Sequence, residues 1–329
     1  MNKMLKAAEV TTLINQGQHL LLAASEELLL TLPQGNWIGG TIPYFMTENG
    51  GKISHDLIQV TVLPEEVLAI QTQFYNASEI HRLPDKYYSN GFSFIIIPAF
   101  SEVHETYAKN CSTWPSVFNQ PLLGWISGVD LAESKPVLPK VMNGKDGKIS
   151  SDQAIVMHIE LKPEFYASTE IINLFTQGHG DTIMFPSQGF DVDHCIINNK
   201  EVNFADYLKK KSIDLQLPLV ANYMGAMINV SLRDIDESQK NVRLYAPVFP
   251  GVEYRFANPI GNYELEFEKV LQRHSPNAFF SCNCVLNFLY AKLEGKQAGN
   301  MVSPMTFGEV AYVLLNQTMV YAKIKKIAC

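Results

Sequence analysis

No window of the 329-residue sequence approaches the roughly eighteen uncharged apolar residues that a membrane-spanning helix needs. The N-terminus has no secretory core either. Its densest apolar run, Leu20 to Ala24, is short, and Glu26 and Glu27 break the apolar character immediately after it. These absences predict a cytoplasmic protein with no membrane partner. Basic residues are also in deficit: the formal net charge is −7 and the pI about 5.6. A nucleic-acid binder normally carries a basic domain or stripe, so nucleic acid is excluded as a partner. The lysines at 209–211 and near the C-terminus read as solvated faces. Cysteine is scarce and odd in number: Cys111, Cys195, Cys282, Cys284 and Cys329. A chain of this size needs no disulfide staples, so reduced thiols are expected. Cys282 and Cys284 lack the two-residue spacing of a redox or zinc motif. There is no P-loop, no dinucleotide fingerprint, no GxSxG elbow and no solenoid repeat.

What is present is ample core material, with 47% hydrophobic and 18% charged residues. The leucine spacing of the first thirty residues predicts helix, stopping at Pro33. Alternation at Ile58, Val60 and Val62 predicts a strand, and Gly91 to Phe100 reads as a strand covered on both faces. Ser101 then caps a helix, and Gln153 to Leu161 is another strand. Further on, "FADYLKKKSI" and "NYELEFEKVLQRHSP" read as helices, "NVRLYAPVF" as a strand, and "NAFFSCNCVLNF" as a buried strand. The last segment, ending in "MVYAKIKKI", alternates like an edge strand. Strands come after loops more often than after long helices, which favours an α+β class over a regular parallel wind. Two mixed α/β domains with largely antiparallel sheets packed by helices are expected, residues 1–200 and 201–329.

Four segments share one texture, an apolar run delivering the chain into glycine or small polar residues. They are "NWIGGTIPYF", "PLLGWISGVD", "AFFSCNCV" and "PMTFGEVAY". Glycine at a strand end lets backbone approach a ligand or another chain closely. In order and spacing these segments resemble the FIST family, whose members carry an N-terminal and a C-terminal FIST domain. "IGGTIPYF" approximates the family's GxSTxG-like segment, and "PLLGWISGVD" its second glycine-serine turn. "FFSCNC" stands where the family has FSCxGR, and "FGEV" where it has GEI. The sequence departs at Cys284-Val285, where the family has Gly-Arg, removing a cation that would pair with an anionic ligand.

The resemblance implies a bacterial sensory module that binds a small molecule, such as an amino acid, and signals without turnover. No kinase, cyclase or methyl-accepting segment is seen, so a separate signalling protein is the expected partner. It also implies a ligand cleft between the two domains, drawn from Trp37, Gly39, Gly40, Thr41, Tyr44, Gly124, Ser127, Ser281, Cys282, Asn283, Phe307, Gly308 and Glu309. No cofactor is expected beyond the haem that some members of that family bind as gas sensors. An axial ligand would have to come from the eight histidines, of which His158, inside a strand, is the one expected to face an interior. A histidine at such a position is far more often a satisfied core residue than a ligand.

Two further readings stand beside sensing. Cys282 as the nucleophile of a hydrolase or acyltransferase needs a base, and His179, His194 and His274 are available. A ligand-free interaction scaffold is the third. Glu309 is a candidate amine-binding group or base. The segment from Thr176 to Cys195 holds His179, Asp181, Asp191, Asp193, His194 and Cys195, but in no zinc or calcium spacing, and no metal is expected there.

Overall fold

The computed structural model describes residues 2–134, 136–223, 225–274, 277–299 and 301–327. It is an α+β fold in which mixed, mostly antiparallel sheets are packed by several short helices. Cys329, and Ser275 and Pro276 of the segment "QRHSP", lie outside the described residues, as does the side chain of His274.

Three strand–helix–strand units supply the parallel pairs. Leu20–Ala24, helix Glu26–Leu30 and Trp37–Thr41 form the first. Gly91–Pro98, helix Glu102–Asn110 and Leu122–Ser127 form the second. Phe280–Cys284, helix Val285–Tyr290 and Ser303–Thr306 form the third. Each parallel pair lies inside a six-stranded sheet otherwise joined antiparallel. The run Phe92 to Pro98 is buried throughout because its neighbours cover both edges while packed side chains cover both faces. Ser101 caps the next helix, its hydroxyl accepting from the His104 N–H at 3.2 Å.

Among the described residues, four of the five sheets draw strands from both sides of residue 200. Leu122–Ser127 pairs antiparallel with Glu309–Ala311. Phe165–Ile172 pairs with Met319–Lys326 along its whole length. The largest apolar cluster accordingly mixes both halves, with Phe94, Trp125 and Phe280 in mutual ring contact. A further six-stranded sheet and a three-stranded one complete the fold around residues 183–256.

Three expectations are corrected. The first thirty residues are not one helical stretch: only Ala7–Asn15 and Glu26–Leu30 are helical, and Leu20–Ala24 is a central strand. A five-residue apolar run has no period that separates a buried strand from a buried helix. The segment "NAFFSCNCVLNF" is strand only to Cys284, and Val285–Tyr290 is helix. The strand Met319–Lys326 is not an edge, because Phe165–Ile172 and Phe280–Cys284 flank it. Its alternating lysines sit on a sheet face, not at a free edge.

Candidate functional site

The N-terminal candidates make close contacts within the fold. Trp37 is buried over Gly144, and its indole N–H donates to the Pro33 carbonyl at 3.0 Å. Gly39 and Gly40 lie in a strand between two others. A Cβ on Gly40 would stand 2.7 Å from Ile96 and 2.9 Å from the Trp125 indole nitrogen, so glycine here lets two sheets close on each other. Thr41 donates from Oγ1 to the Gly128 carbonyl at 2.8 Å and accepts from the Lys140 N–H at 2.9 Å. The Tyr44 hydroxyl donates to Asp130 at 3.1 Å and accepts from the Leu131 N–H at 2.9 Å. Burial pushes that phenol up to about 12. Ser127 is buried, its hydroxyl 3.4 Å from the Ile97 carbonyl. Thr41 lines a cleft of about 60 Å³ with His55 and Asp130, too small for a metabolite.

The C-terminal candidates do converge. The Cys282 thiol donates to the Gly124 carbonyl at 3.4 Å, and Glu309 is the register partner of Trp125. Burial pushes the Cys282 thiol well up, and Glu309 and Cys284 beside it act in the same direction. That is the opposite of an activated nucleophile. Ser281 is buried, with no partner for its hydroxyl among the described residues. Phe307 packs its ring on Gly128, and the Gly308 carbonyl accepts from the Ile126 N–H at 2.8 Å.

Glu309 is fully enclosed. Its Oε2 accepts from the Thr318 hydroxyl at 2.6 Å and from the Thr318 N–H at 3.3 Å, while Oε1 has no partner among the described residues. Desolvation raises its carboxyl well above the ordinary range, against the opposing hydrogen bonds from Thr318 and the Cys284 thiol. Burial therefore favours the protonated form of Glu309.

Around it lies a buried polar set. Asn283 Oδ1 accepts from Asn287 Nδ2 at 2.8 Å, and the Asn283 side chain also bonds the Tyr263 hydroxyl. Gln317 donates to the Gln216 carbonyl at 3.1 Å and accepts from the Ser231 hydroxyl at 2.7 Å. Asn229 donates to the Asn316 carbonyl at 3.0 Å. Tyr263, Asn287 and Gln317 line a cavity of about 380 Å³ together with Asp214, Tyr290 and Lys296. Lys296 pairs with Glu264 at 2.9 Å. Asn287 is buried, and its Oδ1 has no partner among the described residues. A second cavity, about 430 Å³, is walled chiefly by apolar side chains such as Ile228, Val230 and Leu314, and no candidate residue lines it.

Tyr263, Asn287, Gln317 and Thr318 were not singled out in the sequence. Asn316, Gln317 and Thr318 form a polar triplet between two apolar strands, and all three are buried. Such a triplet is a usable signal, because buried polar groups are the informative exceptions.

The haem and metal candidates resolve into ordinary contacts. His158 is enclosed, with Nε2 3.0 Å from the Tyr75 hydroxyl and Nδ1 2.8 Å from the Ser93 hydroxyl, so both ring nitrogens are engaged. Asp181 pairs with Lys211 at 3.0 Å, His194 with its neighbour Asp193 at 3.1 Å, and Cys195 is buried. Among the described residues no group of three His, Cys, Asp or Glu is placed to hold a metal ion, and no helix is long and apolar enough to cross a membrane.

Burial lowers His104 and His158 from 6.5 to about 4. Between those values the unfolded chain binds protons that the folded protein refuses. Stability should therefore fall as pH drops from 6.5 towards 4, by about 1.4 kcal/mol per pH unit for each histidine. Urea denaturation at pH 7 and pH 5 checks this. Greater stability at pH 5 than at pH 7 would mean that these imidazoles are charged in the folded state.

Residues 5–325 match a family of unknown function, DUF6976. No curated protein matches the chain.

Proposed function

The chain belongs to DUF6976, and for this member we propose a non-enzymatic, small-molecule-binding sensory role of the kind its FIST-like motifs imply. The ligand is a small polar molecule, of the size of an amino acid, held in the cavity walled by Tyr263, Asn287 and Gln317. The observation that carries this reading is the wall itself. A space of about 380 Å³ falls in the range of metabolite sites. Its lining includes amide and phenol side chains that are themselves hydrogen-bonded into a buried polar network. The unpartnered Asn287 Oδ1 is an acceptor that asks for an N–H or O–H donor, since a buried polar atom left unbonded is costly. Nothing in this arrangement supplies an activated nucleophile, which favours binding over turnover. A separate signalling protein would read the bound state.

Native mass spectrometry of the purified protein, compared with its denatured mass, tests for a captive ligand. Thermal melts against a panel of amino acids and similar polar metabolites test for an exchangeable one. A ligand at a hundredfold excess over its Kd should stabilise the fold by about 2.7 kcal/mol. In Asn287→Leu, which has nearly the same shape, that gain should disappear. A bare chain mass together with unmoved melting temperatures across the panel would sink the proposal.

A further inference from the structure

A separate pocket of about 220 Å³ lies where the parallel strand Gly91–Pro98 turns into helix Glu102–Asn110. We propose that it binds a planar, uncharged, fused heteroaromatic molecule, stacked against Phe100 and hydrogen-bonded along its edge. This is a second site, independent of the cavity behind Asn287.

Phe100 is the first observation. It sits in the left-handed region at φ 62°, where a bulky side chain is a genuine outlier. Strain of this kind is usually offset by packing, yet this residue is 50% exposed. Packing in the free protein does not account for the conformation, and outliers of this sort concentrate at ligand sites. What the conformation does is present an aromatic ring at the pocket. The Arg233 guanidinium lies 4.7 Å from the ring centroid, and Phe307 stands edge-on at 6.2 Å. A ring with a cation on it and a second aromatic beside it makes a stacking platform.

His104 is the second observation, and it points to a hydrogen-bonding ligand. Its side chain lines the pocket and the residue is only 6% exposed. Nδ1 accepts from the Phe100 N–H at 3.4 Å, so in the neutral ring Nε2 carries the proton. Nε2 has no partner among the described residues. It is a buried donor lacking an acceptor, on a residue that lines the cavity.

The charges decide against an ionic ligand. Arg243 and Arg233 both direct Nε at Asp234, at 2.6 and 3.4 Å. Asp191 faces Arg243 across the strand pair, and Glu105 is held by Lys109 at 2.9 Å. Positive and negative groups balance around the pocket, which leaves directional donors and acceptors instead of a net field. His104 Nε2 and the terminal guanidinium N–H groups donate, and the Asp191 carboxylate accepts. A fused heterocycle with alternating ring nitrogens, carbonyl and amino groups, as in purines and pterins, presents the matching edge.

The test is saturation-transfer NMR and calorimetric titration of the full chain with adenine, hypoxanthine and pterin, with benzoate and phenol as comparisons. Phe100→Gly is the informative variant, because glycine adopts φ 62° freely. It should melt no lower than the parent and bind the heterocycles about tenfold or more weakly, as expected when one stacking partner is lost. His104→Phe, a second variant, should weaken the same probes without creating affinity for others. Absence of binding by all three heterocycles overturns the proposal. So does binding that survives Phe100→Gly unchanged, and so does benzoate binding as tightly as the purines.

Discussion

Replacing Glu309 by glutamine is expected to leave the protein's stability near pH 4 almost unchanged and to raise it at pH 8. The sign comes from where the proton resides. In the unfolded chain this carboxyl ionises near 4.5, whereas burial keeps it protonated in the fold to much higher pH. Above 4.5 unfolding therefore releases a proton. Stability falls by about 1.4 kcal/mol for each pH unit until the folded group itself ionises. Below 4.5 both states are protonated and the group contributes its full share. Glutamine has no proton to lose, so this slope vanishes.

The exchange is close to like for like. The carbonyl oxygen of glutamine can accept from Thr318 as Oε2 does now. Its amide N–H groups then meet the same missing acceptor that a protonated Oε1 meets. His104 and His158 remove stability as pH falls below 6.5, and Glu309 removes it as pH rises above 4.5, so the parent has a stability maximum between an acid limb and an alkaline limb. In Glu309→Gln that maximum should broaden to the alkaline side. Urea midpoints from pH 4 to pH 8 for both proteins decide it. Parallel curves would show that Glu309 is already ionised in the fold, with water or a cation reaching it.

Gly124→Ala is expected to cost about 3 kcal/mol or more, at the upper end of overpacking penalties. A Cβ at this position would stand 1.8 Å from the Ile95 carbonyl oxygen. That oxygen belongs to the backbone of the neighbouring parallel strand and cannot swing aside like the tip of a side chain. Accommodation means separating Leu122–Ser127 from Gly91–Pro98, in the middle of a sheet that is covered on both faces. The same movement would disturb the contact between the Gly124 carbonyl and Cys282. Gly180→Ala serves as the comparison, since nothing lies within 4 Å of its added methyl, and a change within about 0.5 kcal/mol is expected there. If the two variants melt alike, the close approach at Gly124 is not a constraint on the fold.

The α+β class was legible because hydrophobic period survives in single segments. The fully covered strand Gly91–Pro98, the strand Asn241–Val248 and the helix Phe204–Lys211 all carry a local pattern that needs no partner to be read. Elements whose character depends on a distant neighbour were not legible. Leu20–Ala24 is a strand because Ile58–Val62 and Trp37–Thr41 flank it. Met319–Lys326 is central because a strand from far earlier in the chain pairs with it, as Glu170 opposite Tyr321 illustrates.

The site divided in the same way. Cys282, Asn283 and Glu309 stood out as polar residues in apolar runs and do meet in the interior. Gly40 and Gly124 stood out for the same texture, but they bring backbone towards protein neighbours. Sequence texture reports that something approaches closely and is silent on whether that something is a ligand. Asn287 escaped notice because the helix it belongs to continues directly from the preceding strand. The phase that aims its side chain at the cavity is set at that junction.

The position of Met319–Lys326 between Phe165–Ile172 and Phe280–Cys284 also constrains the order of events during synthesis. Phe165–Ile172 leaves the ribosome early, yet its hydrogen-bonding partner is translated much later. Until then it presents an open strand edge to solvent or to any chaperone that binds such edges. Thr318, which holds the Glu309 carboxyl, arrives with the same late segment. The interior polar network and this sheet should therefore assemble in one closing step, after most of the remaining strands have found their neighbours.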